Sequence, residues 1–173
     1  MMDGDIMITA LVCVDRNWAI GRAGGRLIVI PDDRKYLNAA ANKKVLIMGR
    51  RTFESFSEYD LPAECRKIVL SRSGALKYRD ALIADCPEEA LRLASKYNMD
   101  IFVIGGGECF ESMLKYCDEA EVTFVDYRYE ADTYFPNLEK LPEWVMAAES
   151  EEQTYFDTVY FLRKYIRRKD YRP

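Results

Sequence analysis

Three places in the sequence set anion-binding groups directly after an apolar, strand-like run. Phe102 to Glu108 reads FVIGGGE, a buried strand running into three glycines and then a helix start. Glycine lets a backbone approach a diphosphate closely, and the first turn of a helix supplies free N–H groups. Val45 to Ser55 reads VLIMGRRTFES, where Gly49 ends a strand and Arg50, Arg51 and Thr52 follow at a helix start. Leu70-Ser71-Arg72 ends a further strand with a hydroxyl and a guanidinium. Taken singly, each serves as well as a tight turn or solvated surface. Repeated at three strand ends, they suit a phosphorylated dinucleotide, a ribose 2′-phosphate included. The glycines do not follow G-x-G-x-x-G, so the dinucleotide fingerprint of that name is not invoked.

A fourth place offers different chemistry. Ile30-Pro31-Asp32-Asp33 is followed by Leu37, and Asp33 and Leu37, four apart, share a helix face. A carboxylate beside an apolar side chain can hold a flat heterocycle through two parallel hydrogen bonds. Two aspartates also simply suit a helix N-terminus. Thr123, within Val122–Asp126, reads as a core residue of a strand. The chain has no histidine, which excludes Ser-His-Asp and Cys-His catalysis and histidine metal sites. Five scattered cysteines with no C-x-x-C pair suggest reduced thiols, and no metal is expected.

Positioning these groups requires alternating strands and helices. Strands are predicted over Ile6–Val14, Val45–Met48, Lys67–Leu70, Ala81–Ala84, Ile101–Ile104 and Glu121–Asp126, with an antiparallel closing pair at Trp144–Glu149 and Thr154–Tyr165. Helices are predicted over Asp32–Ala41 (opened by Pro31), Thr52–Phe56, Pro87–Tyr97 and Glu108–Lys115. The order implies an α/β fold with a mostly parallel sheet covered on both faces and an antiparallel C-terminal edge. Ligands of such sheets bind at the carboxyl ends of the strands.

The bulk numbers agree. The 173 residues suit one domain, with 49% hydrophobic and 31% charged residues. A net charge of −4 argues against nucleic acid as a partner. No apolar run spans a membrane, and the acidic start MMDGDIMIT does not read as a secretory leader. A cytoplasmic protein is expected.

Over nearly its whole length the sequence resembles the dihydrofolate reductase family. The markers are Ala10 to Asp15, Ile20-Gly21, Ile30-Pro31-x-Asp33, Met48-Gly49-Arg50-x-Thr52-x-Glu54-Ser55, Ile68 to Arg72, Ile104 to Gly107 and Asp132-x-x-Phe135-Pro136, in the family's order. The resemblance implies a three-layer fold with an eight-stranded sheet, one reductase domain over 6–168 and short tails at 1–5 and 169–173. It implies NADPH as cofactor and reduction of 7,8-dihydrofolate to tetrahydrofolate by hydride transfer to pterin C6, with N5 protonated from water. A monomer acting on a small molecule is expected, with neither nucleic acid nor membrane as partner.

By the same resemblance, the cofactor residues are Ala10, Ile20, Gly21, Gly49, Arg50, Arg51, Thr52, Ser71, Arg72, Gly105, Gly106, Gly107, Glu108 and Phe110. A cis bond is implied between Gly105 and Gly106, and a covering loop over about 16–30. The substrate residues are Ala10, Ile28, Asp33, Leu37, Phe56, Arg66 and Ile104. Asp33 is the ionisable group at the pterin, and Thr123 steadies it through water. The chain departs from the family at several of these places. Ile28 stands where a tryptophan is common, and Leu37 where a phenylalanine often faces the pterin. Glu108 puts negative charge near the phosphates. Cys65 occupies the place of the arginine that grips the folate glutamate tail, with Arg66 one step later; a bulge is needed to bring Arg66 back. Two other readings stand beside dihydrofolate reduction. One is a reductase of the same fold on another pterin or a ribosylaminopyrimidine; the other is a nucleotide-binding module without turnover.

Overall fold

The computed structural model describes residues 5–28, 30–57, 60–74 and 77–170. Residues 1–4 and 171–173 of the expected tails lie outside this set.

The most uniformly apolar strand lies in the middle. In β4 (Val45–Gly49), Val45, Leu46, Ile47 and Met48 are all fully buried, as required of a parallel strand covered on both faces. Each such side chain contributes about 1.5–3 kcal/mol by leaving water. Parallel neighbours are β5 (Arg66–Leu70) and β7 (Ile101–Gly105). Beyond β5 lies β6 (Leu82–Ala84); beyond β7 lie β1 (Ile8–Val14) and then β8 (Glu119–Val125). The edge is antiparallel, formed by β12 (Thr158–Arg167) and β10 (Trp144–Glu149). The spatial order is β10-β12-β8-β1-β7-β4-β5-β6, the expected eight strands in a mostly parallel sheet, to which one short further strand is added at the edge. The predicted strand over 154–165 is in fact two. β11 (Gln153–Tyr155) folds back on β12 through a turn in which Phe156 has a φ of 50°.

Strand alternation sorts the core. Val45, Ile47, Ile68 and Val103 point to one face and meet Ala90 and Ala94 of α3 (Pro87–Ser95) and Cys109, Phe110 and Met113 of α4 (Gly107–Met113). Leu46, Met48 and Phe102 point to the other face, against Leu37 and Ala40 of α1 (Pro31–Ala40) and Phe53 of α2 (Arg50–Ser55). The result is three layers. Both predicted C-terminal helix ends run long: α3 stops at Ser95, and α4 gives way to a 3₁₀ turn over Leu114–Tyr116.

The region expected to be a covering loop contains a small sheet of its own. β2 (Ala19–Arg22) and β3 (Gly25–Arg26) form a hairpin, and β9 (Thr133–Tyr134) pairs with β2. At its tip Ala23 and Gly24 have φ of 53° and 80°, the left-handed pair that suits a two-residue hairpin. Asp132 pins the tip by accepting from the Ala23 N–H at 2.8 Å. At its base the buried Asp15 accepts from the N–H groups of Asn17, Ala19 and Tyr129 at 2.8, 2.9 and 2.9 Å.

Candidate active site

β4 and β7 are parallel neighbours, so the turns that follow them meet at one sheet edge. A Cβ added to Gly49 would stand 3.5 Å from the Gly106 nitrogen. Helices α2 and α4 therefore start side by side, each capped by glycine backbone and by no side chain. Gly105 has a φ of +125°, and the peptide bond from Gly105 to Gly106 is cis. A Cβ at Gly105 would only touch Thr52 Oγ1 and the Phe110 ring, at 3.5 and 3.4 Å, so it is the φ that reserves this position for glycine. A Cβ at Gly107 would strike Thr133 Cγ2 at 2.6 Å, because the small sheet closes over this corner. Arg50 donates to Glu54 at 3.0 Å, and Tyr78 donates to the same carboxylate at 2.9 Å. Arg72 faces Glu108 at 3.8 Å. Backbone that only glycine can offer, next to Arg50, Arg51, Arg72, Thr52 and Ser71, fits a dinucleotide carrying an additional phosphate.

The same cleft, about 1690 Å³, continues to a second corner. Pro31 opens α1 and so places Asp33 in its first turn. Cys13 and Thr123 are paired across β1 and β8 and flank that carboxylate. Thr123 donates to Asp33 Oδ1 at 3.1 Å. Asp33 Oδ2 is buried with no hydrogen-bond partner among the described residues. Burial pushes the Asp33 carboxyl above the ordinary carboxylate range; the Thr123 hydroxyl and then the Arg26 charge pull it back. Burial, and then the Asp33 charge, push the Cys13 thiol far up, so it stays protonated. What remains is a half-buried carboxylate with a free acceptor edge, walled by Ile28, Leu37, Phe56 and Ile104.

The cleft gathers Asp33, Thr123, Ile28, Leu37, Phe56 and Ile104 at one end. It gathers Ile20, Gly21, Gly49, Arg50, Arg51, Thr52, Ser71, Arg72, Gly105, Gly106, Gly107, Glu108 and Phe110 along the rest. Two residues fall elsewhere. Ala10 is buried in the core on the α3–α4 side; its neighbour Leu11, on the opposite pleat, lines the cleft with Cys13. Arg66 also points away. The β4–β5 register runs unbroken from Val45↔Arg66 to Gly49↔Leu70, so no bulge turns it round. Its guanidinium lies 5.4 Å from the Tyr97 ring centre, while Cys65 takes the substrate-side core position beside Leu46 and Met48. A third expectation is revised in kind. Thr123 is buried, as a strand residue of the core should be, yet its hydroxyl also reaches Asp33 directly, at 3.1 Å. Tyr36, Arg26 and Tyr160 also line the cleft and were not anticipated. Helical spacing from Asp33 announces Tyr36. The other two depend on the lid hairpin and on a strand distant in sequence.

A phosphate cradle and a half-buried carboxylate sharing one cleft at the carboxyl edge of a doubly covered sheet suit a nucleotide-dependent oxidoreductase. Comparison with known proteins narrows this. The family described as dihydrofolate reductase matches residues 7–167. The dihydrofolate reductase of Buchnera aphidicola subsp. Acyrthosiphon pisum (strain APS) is 30% identical over 137 residues, 79% of this chain and 83% of the relative. That of Staphylococcus haemolyticus is 25% identical over 166 residues, 94% and 98% of the two chains. The solved structure of "Dihydrofolate reductase from Enterococcus faecalis complexed with NADP(H)and RAB-propyl" superposes with a TM-score of 0.79 at 27% identity, covering 93% of this chain and 96% of that one. The chain belongs to the dihydrofolate reductase family.

Proposed function

We propose that the chain reduces 7,8-dihydrofolate to tetrahydrofolate with NADPH, and that residues 6–168 act as one reductase domain. The observation that carries the reading is the free, buried Asp33 Oδ2 in a cleft continuous with the Gly105–Gly107 cradle. NADPH, when bound, supplies the hydride that C6 of the pterin receives. The protein's own contribution is to hold and orient. Arg50, Arg51, Thr52, Ser71 and Arg72 take the phosphate end, and Gly105 to Gly107 let the backbone approach the diphosphate. The ionised Asp33 accepts hydrogen bonds from the pterin 2-amino group and the adjacent ring nitrogen, a charge-assisted, two-point grip. Thr123 aims that carboxylate by occupying its other oxygen. The β2–β3 hairpin, pinned by Asp132, lines the cleft with Ile20, Gly21, Gly24, Gly25 and Arg26.

The test follows NADPH absorbance with dihydrofolate as substrate. Turnover is expected; NADPH binding with no oxidation would reduce the chain to a nucleotide-binding module. A second substrate class is favoured by one observation, the rotation of Arg66 out of the cleft with Cys65 at the core position. A pterin lacking the glutamate tail then loses little by comparison with dihydrofolate, and the same assay with a dihydrobiopterin-type substrate measures it. We also propose a cytoplasmic monomer. One chain supplies all the cleft walls described above, and its five free thiols suit a reducing compartment.

A further inference from the structure

The cofactor corner carries an acid where its ligand is most negative. Glu108 stands in the first turn of α4, and its Oε2 lies 3.8 Å from Arg72 Nη2, just beyond the end of β5. Both line the cleft. Their side chains are 92% and 88% exposed, so neither serves the core. Arg50 is engaged by Glu54 in a similar way. Among the described residues, Arg51 is the guanidinium of this corner with no ion-pair partner, and it lies against the lid tip: a Cβ added to Gly24 would stand 3.1 Å from its Nη1.

We propose that Glu108 is a specificity-determining residue that weakens discrimination between a cofactor bearing a ribose 2′-phosphate and one bearing a free 2′-hydroxyl. The proposal rests on the functional reading above. A phosphate that reaches Arg72 arrives beside a carboxylate already paired with it, so Arg72 must exchange one anion for another while the displaced carboxylate repels the newcomer. A 2′-hydroxyl brings no charge and meets no such cost. The pair is solvated, so the effect is modest, about three- to fivefold in affinity, and it fades as ionic strength rises.

The experiment titrates NADPH and NADH separately, by quenching of protein fluorescence, into wild type, Glu108→Gln, Arg72→Gln and the double variant, at low and high salt. Glu108→Gln is expected to tighten NADPH three- to fivefold more than NADH at low salt, the difference shrinking at high salt. In the Arg72→Gln background the same change is expected to yield less. Equal movement of both cofactors, or none, overturns the proposal while NADPH binding itself stands. Failure of the unmodified chain to bind NADPH overturns the functional reading and this proposal together.

Discussion

The two ends of the cleft are built by different means. The cofactor end is made of turns: Gly49, Gly105 and Gly107 bring backbone to the sheet edge, and the arginines follow within a few residues along the chain. The substrate end is assembled from elements far apart in sequence. Asp33 comes from α1, Cys13 from β1 and Thr123 from β8, and they meet only because β1 and β8 are in register. The first end departs from its family by an added charge, Glu108. The second departs by the loss of one, since Cys65 stands where an arginine is expected. The comparison teaches that phosphate recognition is a local property of the chain, whereas the identity of the reduced ring hangs on a single acid and its register partners.

The sharpest way to break that contrast is Asp33→Asn. Loss of the charge-assisted grip is expected to lower kcat/KM for dihydrofolate about a hundredfold or more, with NADPH affinity retained. Stability should move the other way. Burial raises the Asp33 carboxyl above its ordinary value, so the folded chain binds this proton more tightly than the unfolded chain. Wild type therefore gains stability as pH falls through the folded value toward the ordinary carboxylate value near 4, and lacks that gain above it. The difference in Tm between Asp33→Asn and wild type, in favour of the variant, should be largest at neutral pH and close as pH falls. A gap independent of pH between 4 and 7 would contradict a buried, ionised Asp33.

Gly105→Ala tests the other end. A φ of +125° strains any side chain there, although the new methyl would find ordinary contact with Phe110 and Thr52. A penalty of about 1–3 kcal/mol follows, seen as a lower Tm and as NADPH affinity weakened roughly ten- to a hundredfold. Thr123→Val should cost less, about tenfold in dihydrofolate affinity. Because the Thr123 hydroxyl holds the Asp33 carboxyl down, its loss lets Asp33 protonate at a higher pH. Substrate affinity plotted against pH should then fall off earlier on the acid side than in wild type.

How much of this was legible in the sequence divides along the same line. The doubly covered, mostly parallel sheet and the groups at its strand ends follow from glycine, arginine and apolar runs that act where they stand; the order of the strands does not. What was missed was missed for physical reasons. A strand turns its side chains alternately, so an error of one position sends a residue through the sheet: Ala10 went to the α3–α4 core and Leu11 to the cleft. Thr123 is buried as expected, but a strand pattern does not say that Asp33 lies within reach of its hydroxyl. The lid hairpin was hidden because strands of two to four residues carry no periodicity to detect. Arg26 and Tyr160 enter the cleft only through those long-range pairings.

Arg66→Ala sharpens the comparison through its small effect. Were Arg66 to grip the folate tail, its truncation would raise KM for dihydrofolate about ten- to a hundredfold and leave a tail-free pterin untouched. In this chain it starts β5 opposite Val45, on the face that carries α3, and its guanidinium lies near the Tyr97 ring. Nothing about that position touches Asp33, Leu37 or Phe56. KM values for dihydrofolate and for a tail-free dihydropterin are therefore expected to stay within about twofold of wild type, with a slight loss of Tm from the missing contact with Tyr97. A selective rise in KM for dihydrofolate would mean that the arginine crosses to the other face when substrate binds. That would require the unbroken β4–β5 register to slip by one residue, which would also drive Ile68 out of the fully buried position it holds.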